Sequence, residues 1–446
     1  MKRPKEEYWM SSAFYTVLQN LTGVAFTFGG FYFLVRLLNK HQFGVWALYM
    51  STVTILEFMR GGLIQNALIK YLAFEKKEEH TKIISASFSI SAILTLLCIL
   101  LNFLLARILT EVWDAPELLE IFHLYSWVFV VSGILTMFNS IEQANLEFKG
   151  VFVGAFVRQG IFFLYIFYCY FFSPGIILKN LVYAQFASFF ISAIVSYFFS
   201  RKYFDLAFQF SYGWAKKLFN YGKYAFGTSL SSILSTTIDQ MMLGAILSPV
   251  ASGAFNIAVR ITNLIDIPTN AIAIIVFPQS ARRSETEGKH AVKYLYEKSV
   301  GVLMAILIPG VFLIFCFADI VVLIVAGDKY DDAVPLLKIV LLYCLFIPYA
   351  RQFGNILDSI GKPKLNFYMV VITAAINIAL NYLFISRWGV MGAAYATLCS
   401  SIVGFFLSQF ILKRELNVQT FNTLKYAWEF YPEFYNKYVR PLFKKA

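Results

Sequence analysis

Charged residues are scarce in this chain: Lys, Arg, Asp and Glu together make up 14% of its 446 residues. A soluble domain carries charge at about 25% of its positions. Hydrophobic residues account for 59% of the chain, which is enough for roughly a dozen bilayer-spanning helices of about 20 residues each. These proportions exclude an ordinary soluble enzyme and a disordered chain, and they predict a polytopic membrane protein.

Groups that bind metals or act as nucleophiles are also few. The four histidines are not paired at a metal-binding spacing, and all five cysteines lie within apolar runs. The sequence contains no P-loop, no nucleophile elbow and no pair of catalytic carboxylates. We therefore predict that the protein is not an enzyme and has no cofactor and no metal site.

Apolar runs long enough to cross a bilayer are what the chain has instead. The twelve runs are 12–36, 43–69, 82–107, 119–141, 150–172, 178–200, 223–247, 253–279, 298–318, 334–358, 365–386 and 390–412. Pro309, in the ninth run, predicts a kink rather than a stop. The sequence thus predicts an all-α membrane protein with about twelve transmembrane helices.

Basic residues are distributed unevenly between the predicted loops. With a cytoplasmic amino terminus, 26 of the 38 Lys and Arg residues lie on the cytoplasmic side and five lie in the outer loops. Basic loops stay in the cytoplasm, so both termini are predicted to be cytoplasmic. The net charge of +12 is then explained by basic cytoplasmic loops that face anionic membrane lipids and orient the protein. No nucleic-acid partner is expected.

Faint self-similarity relates the two halves of the chain. Glu57 falls on Asp266 at an offset of 209, and Glu142 falls on Asp358 at an offset of 216. A repeat of six spans predicts two lobes related by a pseudo-two-fold axis along the membrane normal. The predicted N-terminal lobe, interfacial linker, C-terminal lobe and amphipathic cytoplasmic tail are residues 1–200, 201–222, 223–414 and 415–446.

Charged side chains inside the predicted spans are candidates for function, because a charge at mid-bilayer costs at least about 2.5–3.5 kcal/mol. Bases exceed acids there, which favours an anionic substrate. The candidate substrate-binding residues are Arg60, Arg158, Arg260 and Arg351. Arg36 lies near a span end and is expected to extend to the interface.

Three acids within the spans are the candidates for ion coupling: Glu57, Asp239 and Asp266. Glu57 lies three residues before Arg60, so an ion pair within one helix is the alternative to a binding role. Asp239 has no base nearby in sequence and by depth belongs near Arg260. A structural salt bridge and a protonation switch are both open for Asp239.

Six segments carry a family resemblance. They are VRLLNKHQFGVWAL at 35–48, STTIDQMMLGAILSPVASGAFNIAVRITNLI at 235–265, FPQSARR at 277–283, AGDKYDDAVPLLKI at 326–339, DSIGKPKL at 358–365 and WGVMGAAYATL at 388–398. In this order they resemble the oligosaccharide-repeat-unit (O-antigen, Wzx-type) flippases of the multidrug/oligosaccharidyl-lipid/polysaccharide exporter superfamily.

The resemblance implies a function and a mechanism. It implies a two-lobed protein that moves a polyprenyl-diphosphate-linked oligosaccharide from the inner to the outer leaflet of a bacterial inner membrane by alternating access. It also implies coupling to protons or sodium and contacts with polysaccharide-assembly proteins. Two rival functions are a multidrug exporter of the same superfamily and a membrane enzyme of polysaccharide assembly. The positive interior disfavours the exporter, and short outer loops disfavour the enzyme.

Overall fold

The computed structural model contains helices and no strands in the part of the chain that it describes, residues 5–173, 175–204 and 209–440. Side chains are described within these ranges except at 5–13, at 438–439 and at some positions between 224 and 278, including Asp266. Parts of the predicted linker (205–208) and tail (441–446) therefore lie outside the described residues.

The chain divides into two compact units. Unit 1 comprises Met1–Thr237 and Ser248–Gly253, and unit 2 comprises Ile238–Leu247 and Ala254–Ala446. The described helices that begin in unit 1 before residue 248 are α1 (Lys5–Leu37), α2 (Lys40–Gly62), α3 (Gln65–Phe74), α4 (Lys77–Val112), α5 (Glu117–Ala144), α6 (Phe148–Phe172), α7 (Leu178–Ser200) and α8 (Tyr212–Ile246).

Helix α8 contributes residues to both units, and the helices that follow belong mainly to unit 2. They are α9 (Pro249–Thr262), α10 (Asp266–Thr286), α11 (Lys289–Cys316), α12 (Ala318–Ala326), α13 (Ala333–Cys344), α14 (Ile347–Ser359), α15 (Pro363–Trp388), α16 (Val390–Leu416) and α17 (Thr420–Phe434). Helix α11 continues through Pro309 without a stop, as predicted.

Most of these helices can cross a membrane. Within the described residues, nine helical segments are long and apolar enough, and a tenth is reached if the bent pair α9 and α10 forms one span. Helices α2 and α3 together overlap the second predicted span, and α8 overlaps the seventh. The chain is a multi-pass, all-helical membrane protein, and the predicted fold class is confirmed.

The second span of each half is interrupted. Helix α2 ends with the pair Gly61 and Gly62, and glycine weakens helix propagation. Helix α3 begins at Gln65. Helices α9 and α10 are bent by 52° at their junction. Pro268 lies in the first turn of α10, where its missing N–H is tolerated. Interrupted helices expose backbone polar groups at membrane depth, where only protein or water can satisfy them.

Residues of the predicted linker contribute to the core of unit 1. Helix α8 begins at Tyr212, and Trp214 and Leu218 are buried in a cluster with Leu63 and Ile64. The indole N–H of Trp214 donates a hydrogen bond of 2.6 Å to the Glu79 carboxylate. This part of the linker is therefore held by packing in addition to any contact with lipid.

The predicted tail forms helix α17, which packs along α11. A Cβ on Gly301 of α11 would overlap atoms of α17, so the bare glycine permits the close approach. The Tyr431 hydroxyl donates to the Ala305 carbonyl oxygen at 2.8 Å. The opposite face of α17 leaves Phe421 and Trp428 exposed, as expected for a helix at a lipid interface.

Candidate functional site

Asp239, the predicted coupling acid, lies in a buried polar cluster of unit 2. Its side chain on α8 is 5% exposed. The Asn381 amide on α15 donates to one carboxylate oxygen at 2.5 Å, and the Thr397 hydroxyl on α16 donates to the other at 2.8 Å. All the described partners are neutral, whereas the sequence left open a salt bridge to Arg260. The carboxylate is thus bound by dipoles rather than by a cation.

A tight helical hairpin brings these partners together. Helix α15 ends at Trp388, and Gly389 adopts a φ of 59° that favours glycine. A Cβ on Gly392 would overlap the backbone carbonyl of Phe384, so α16 can approach α15 only with glycine there. The motif WGVMGAAYATL therefore places Asn381 and Thr397 side by side.

A second layer of neutral groups extends the cluster around Asp239. The Asn381 amide also donates to the Asn377 side-chain oxygen at 3.0 Å, and the Asn377 amide donates to the Ser400 hydroxyl at 3.3 Å. The side-chain oxygen of Asn381 is buried and accepts no hydrogen bond from the described residues. One carboxylate with several neutral oxygens is suited to a proton or a small monovalent cation.

Arg158, a predicted substrate-binding residue, lines a polar cavity within unit 1. The cavity encloses about 220 Å³ among α1, α3, α5, α6 and α7. Arg158 is the one charged residue among the described residues that line it. The neutral polar side chains in its wall are Gln19, Gln65, Thr136, Asn139, Gln143 and Ser192.

The polar groups of this cavity have unused hydrogen-bonding capacity. The Arg158 guanidinium lies 5.0 Å from the ring centre of Phe189, and among the described residues it makes no ion pair. The carboxamides of Gln19, Gln65 and Gln143 are half-buried. A half-buried cation and three carboxamides that face one cavity can bind an anionic, hydroxyl-rich ligand.

Arg60 and Glu57 form a different kind of site, since they pair with each other within α2. The Glu57 carboxylate also accepts the Ser132 hydroxyl at 2.6 Å and the Tyr125 hydroxyl at 3.3 Å. The Arg60 side chain is 2% exposed and lies against Gly133, where a Cβ would crowd it. Residues of α4 and α5 enclose the pair. The spacing of the two residues predicted this ion pair as the alternative to a binding role for Arg60.

The remaining predicted site residues lie apart from these two places. Arg260 is in the last turn of α9 and Arg351 is on the exposed side of α14. Asp266 begins α10, and its side chain is outside the described set. The structure places one predicted arginine, Arg158, in the described cavity of unit 1, and it places Asp239 in the neutral cluster of unit 2.

Glu142 is a buried acid that was not among the predicted charged residues inside the spans, because the fourth predicted span ends at residue 141. Helix α5 continues to Ala144, and Glu142 is fully buried against Gly150 of α6. Its carboxylate oxygens have no hydrogen-bond partner among the described residues. The internal repeat is the sequence signal that could have identified Glu142. At the offset of 216, Glu142 and Gly150 fall on Asp358 and Asn366, and the Asn366 amide donates a hydrogen bond of 3.0 Å to the Asp358 carboxylate.

Sequence comparison connects these features to known proteins. Residues 33–335 match a family described as "Polysaccharide biosynthesis protein". The chain is 28% identical over 202 residues to a probable low-salt glycan biosynthesis flippase of Haloferax volcanii, a match that covers 44% of this chain and 43% of that protein. It is 23% identical to the lipopolysaccharide biosynthesis protein WzxC of Escherichia coli, over 85% of this chain and 74% of that protein.

Solved structures of known transporters share this fold. An inward-facing multidrug resistance MATE family transporter of the MOP superfamily aligns with a TM-score of 0.72 at 15% identity, covering 88% of this chain and 94% of its own. The lipid II flippase MurJ in an inward closed conformation aligns with the same score and identity, covering 92% and 90%. At this identity the likeness shows the fold, and it is the predicted one.

Proposed function

Since the chain belongs to the polysaccharide biosynthesis protein family, we propose that it moves a polyprenyl-diphosphate-linked oligosaccharide from the inner to the outer leaflet of a bacterial inner membrane. The observation that carries the proposal is a polar cavity between the predicted spans of unit 1, in which the single charged residue among the described lining residues is a cation, Arg158. Relatives named as probable flippases in Haloferax volcanii and Borreliella burgdorferi support it.

The cationic residues bind the anionic part of the cargo in this proposal. Arg158 has a guanidinium that makes no ion pair with described residues, and Arg260 and Arg351 in unit 2 stay further substrate-binding candidates from the sequence. A guanidinium presents a planar fork that suits diphosphate or carboxylate oxygens. Arg60 is committed to Glu57, so its contribution is to hold α2 against its neighbours.

Ion coupling belongs to the Asp239 cluster of unit 2. Asp239 binds a proton or a sodium ion, and the neutral oxygens of Asn381, Asn377 and Thr397 complete the site. Binding and release of the ion alternate with exposure of the cargo site to the two leaflets. Glu57 is already paired with Arg60, and Asp266 remains a secondary candidate from the internal repeat.

The orientation proposed for the chain places both termini in the cytoplasm, because 26 basic residues then face inward and five face outward. Reporter fusions after residues 210, 288 and 440 are expected to report a cytoplasmic location. A periplasmic signal from any of the three fusions would contradict the orientation.

A multidrug exporter shares this fold and is the second candidate. Exporters of organic cations require acidic or neutral cavities, whereas the charged lining residue described in unit 1 is Arg158. Complementation of a flippase-null strain separates the two candidates. Restored surface polysaccharide supports the flippase, and drug resistance without restored polysaccharide supports the exporter.

Arg158→Gln and Arg36→Gln form a matched pair for this complementation experiment. Both substitutions remove an arginine from unit 1, but Arg36 lies at the end of α1 over the Tyr32 ring, outside the cavity. We expect Arg158→Gln to make less surface polysaccharide than the parent chain and Arg36→Gln to make as much, at equal amounts of protein in the membrane. Equal polysaccharide from both variants would contradict a cargo-binding role for Arg158.

A further inference from the structure

The cavity of unit 1 combines two kinds of recognition group. Arg158 supplies a cation, and Gln19, Gln65, Asn139 and Gln143 supply carboxamides. A carboxamide offers a donor and an acceptor in one plane, which suits neighbouring hydroxyl groups on a ring. A site for a bare phosphate would need several cations or backbone N–H groups instead, and this cavity has one charged lining residue among those described.

The size of the cavity limits what it can hold. Pockets that enclose drug-sized ligands measure about 300–1,000 Å³, and this cavity measures about 220 Å³. At roughly 30 Å³ for each water in the liquid, the space corresponds to about seven water molecules. It can therefore receive one ring of a glycan, while the rest of an oligosaccharide and its lipid must lie outside it.

The position of the cavity matches loading from one side of the membrane. Gln143 lies at the carboxyl end of α5, Val151 lies in the first turn of α6, and Ser192 lies about two turns before the end of α7. In the proposed orientation these three helix ends face the cytoplasm. A ring linked to a lipid in the inner leaflet would reach the cavity from that face.

From these features we infer that the unit 1 cavity is a subsite for one sugar ring that carries an anionic group. Arg158 binds the anionic oxygens, and the carboxamides of Gln19, Gln65 and Gln143 bind ring hydroxyls. The anion is the carboxylate of an acidic sugar or the phosphate attached to the first sugar of the cargo. The inference rests on the proposed function for its cargo, but the binding it describes does not require transport.

Binding of small probes to the full-length chain in lipid nanodiscs tests the inference. The probes are glucuronate, glucose 1-phosphate, glucose and inorganic phosphate, measured by isothermal titration. We expect at least one of the two anionic sugars to bind more tightly than both glucose and inorganic phosphate. The tighter of the two anionic sugars identifies the source of the anion. Equal affinity for glucose, or tighter binding of inorganic phosphate, would overturn the inference.

Variants link the binding to named residues. Arg158→Gln is expected to weaken binding of the anionic sugar roughly tenfold to a hundredfold, as for loss of a contact to a charged group, and Arg158→Lys to weaken it less. Gln65→Leu removes a carboxamide without changing charge and is expected to reduce the preference for the anionic sugar over inorganic phosphate. Arg36→Gln serves as the control and should bind like the parent chain.

The outcomes separate this inference from the proposed function. If the chain binds anionic sugars through Arg158 but fails to complement a flippase-null strain, the subsite is supported and the flippase function is contradicted. In the opposite outcome, the parent chain complements the strain while Arg158→Gln and Gln65→Leu both bind sugars as the parent does. That result would support the flippase function and contradict the proposed sugar subsite.

Discussion

The polar sites of the two units carry opposite charge in otherwise similar surroundings. In unit 1 the charged group is the Arg158 cation, and its polar neighbours are carboxamides and hydroxyls. In unit 2 the charged group is the Asp239 anion, and its neighbours are again carboxamides and a hydroxyl. Neutral dipoles can accompany a charge of either sign, so the charged residue decides which ligand each site selects.

The two sites also differ in how much of their hydrogen bonding is already used. Both carboxylate oxygens of Asp239 accept hydrogen bonds within an enclosed cluster. The Arg158 side chain faces a cavity of about 220 Å³ and forms no ion pair with described residues. The enclosed site suits a proton or small ion, and the open site suits a larger anionic group.

Removal of the charge from the unit 2 site is expected to have the largest effect on transport. Asp239→Asn keeps the shape of the side chain but removes its charge, so transport should no longer depend on an ion gradient. Transport by the purified chain in proteoliposomes, with and without proton and sodium gradients, measures this dependence. Gradient dependence equal to that of the parent chain would remove Asp239 from coupling and direct attention to Glu57 or Asp266.

The enclosed Glu57–Arg60 pair provides a contrast, because its charges are balanced and should support stability rather than ligand choice. Arg60→Met leaves the Glu57 carboxylate without its cation, and breaking a buried pair costs about 3–5 kcal/mol. Unfolding by SDS titration measures the loss. The double variant with Glu57→Gln is expected to lose less than Arg60→Met alone, and an additive loss would contradict the pairing.

The geometry of the unit 2 site can be disturbed without touching Asp239. Gly392→Ala places a Cβ against the Phe384 carbonyl, so the α15–α16 hairpin must open; overpacking of this kind costs about 1–3 kcal/mol. We expect a partial loss of ion-dependent transport together with reduced stability. Gly310→Ala on α11 is the control, because the added Cβ would meet no described atom within 4 Å beyond the adjacent backbone of its own helix. Equal effects from both variants would show that the hairpin does not position the site.

Exposed ion pairs in unit 1 are expected to contribute least. The Lys179 Nζ atom lies 3.4 Å from Glu120 Oε1, and the two side chains are 40% and 58% exposed. An exposed pair of this kind contributes about 0–1 kcal/mol to the free energy of unfolding. Lys179→Ala should change neither the free energy of unfolding beyond that range nor sugar binding at the unit 1 cavity. A larger effect on sugar binding would mean that charge outside the cavity determines selectivity.

Much of the fold follows from local properties of the sequence. Apolar runs of membrane length predicted the helices. The spacing of Glu57 and Arg60 gave their ion pair as the alternative to a binding role, and the structure has the pair. The cavity of unit 1 was harder to predict, because its carboxamides come from three helices spread over more than a hundred residues. Neutral amides also do not register in a count of buried charges. Glu142 was placed outside the membrane because the apolar run ends one residue before it, although α5 continues.

The measurement that bears most directly on two sites of opposite charge is flipping of lipid-linked oligosaccharides by the purified chain in proteoliposomes. The cargo is supplied over a range of concentrations, and the ion gradient is present or absent. We expect Arg158→Gln to need a higher cargo concentration than the parent chain while it keeps the response to the gradient, and we expect Asp239→Asn to lose the gradient response while it keeps the concentration dependence of the parent chain. A change of both properties in either variant, or of neither in both, would contradict the assignment of cargo to unit 1 and of the coupling ion to unit 2.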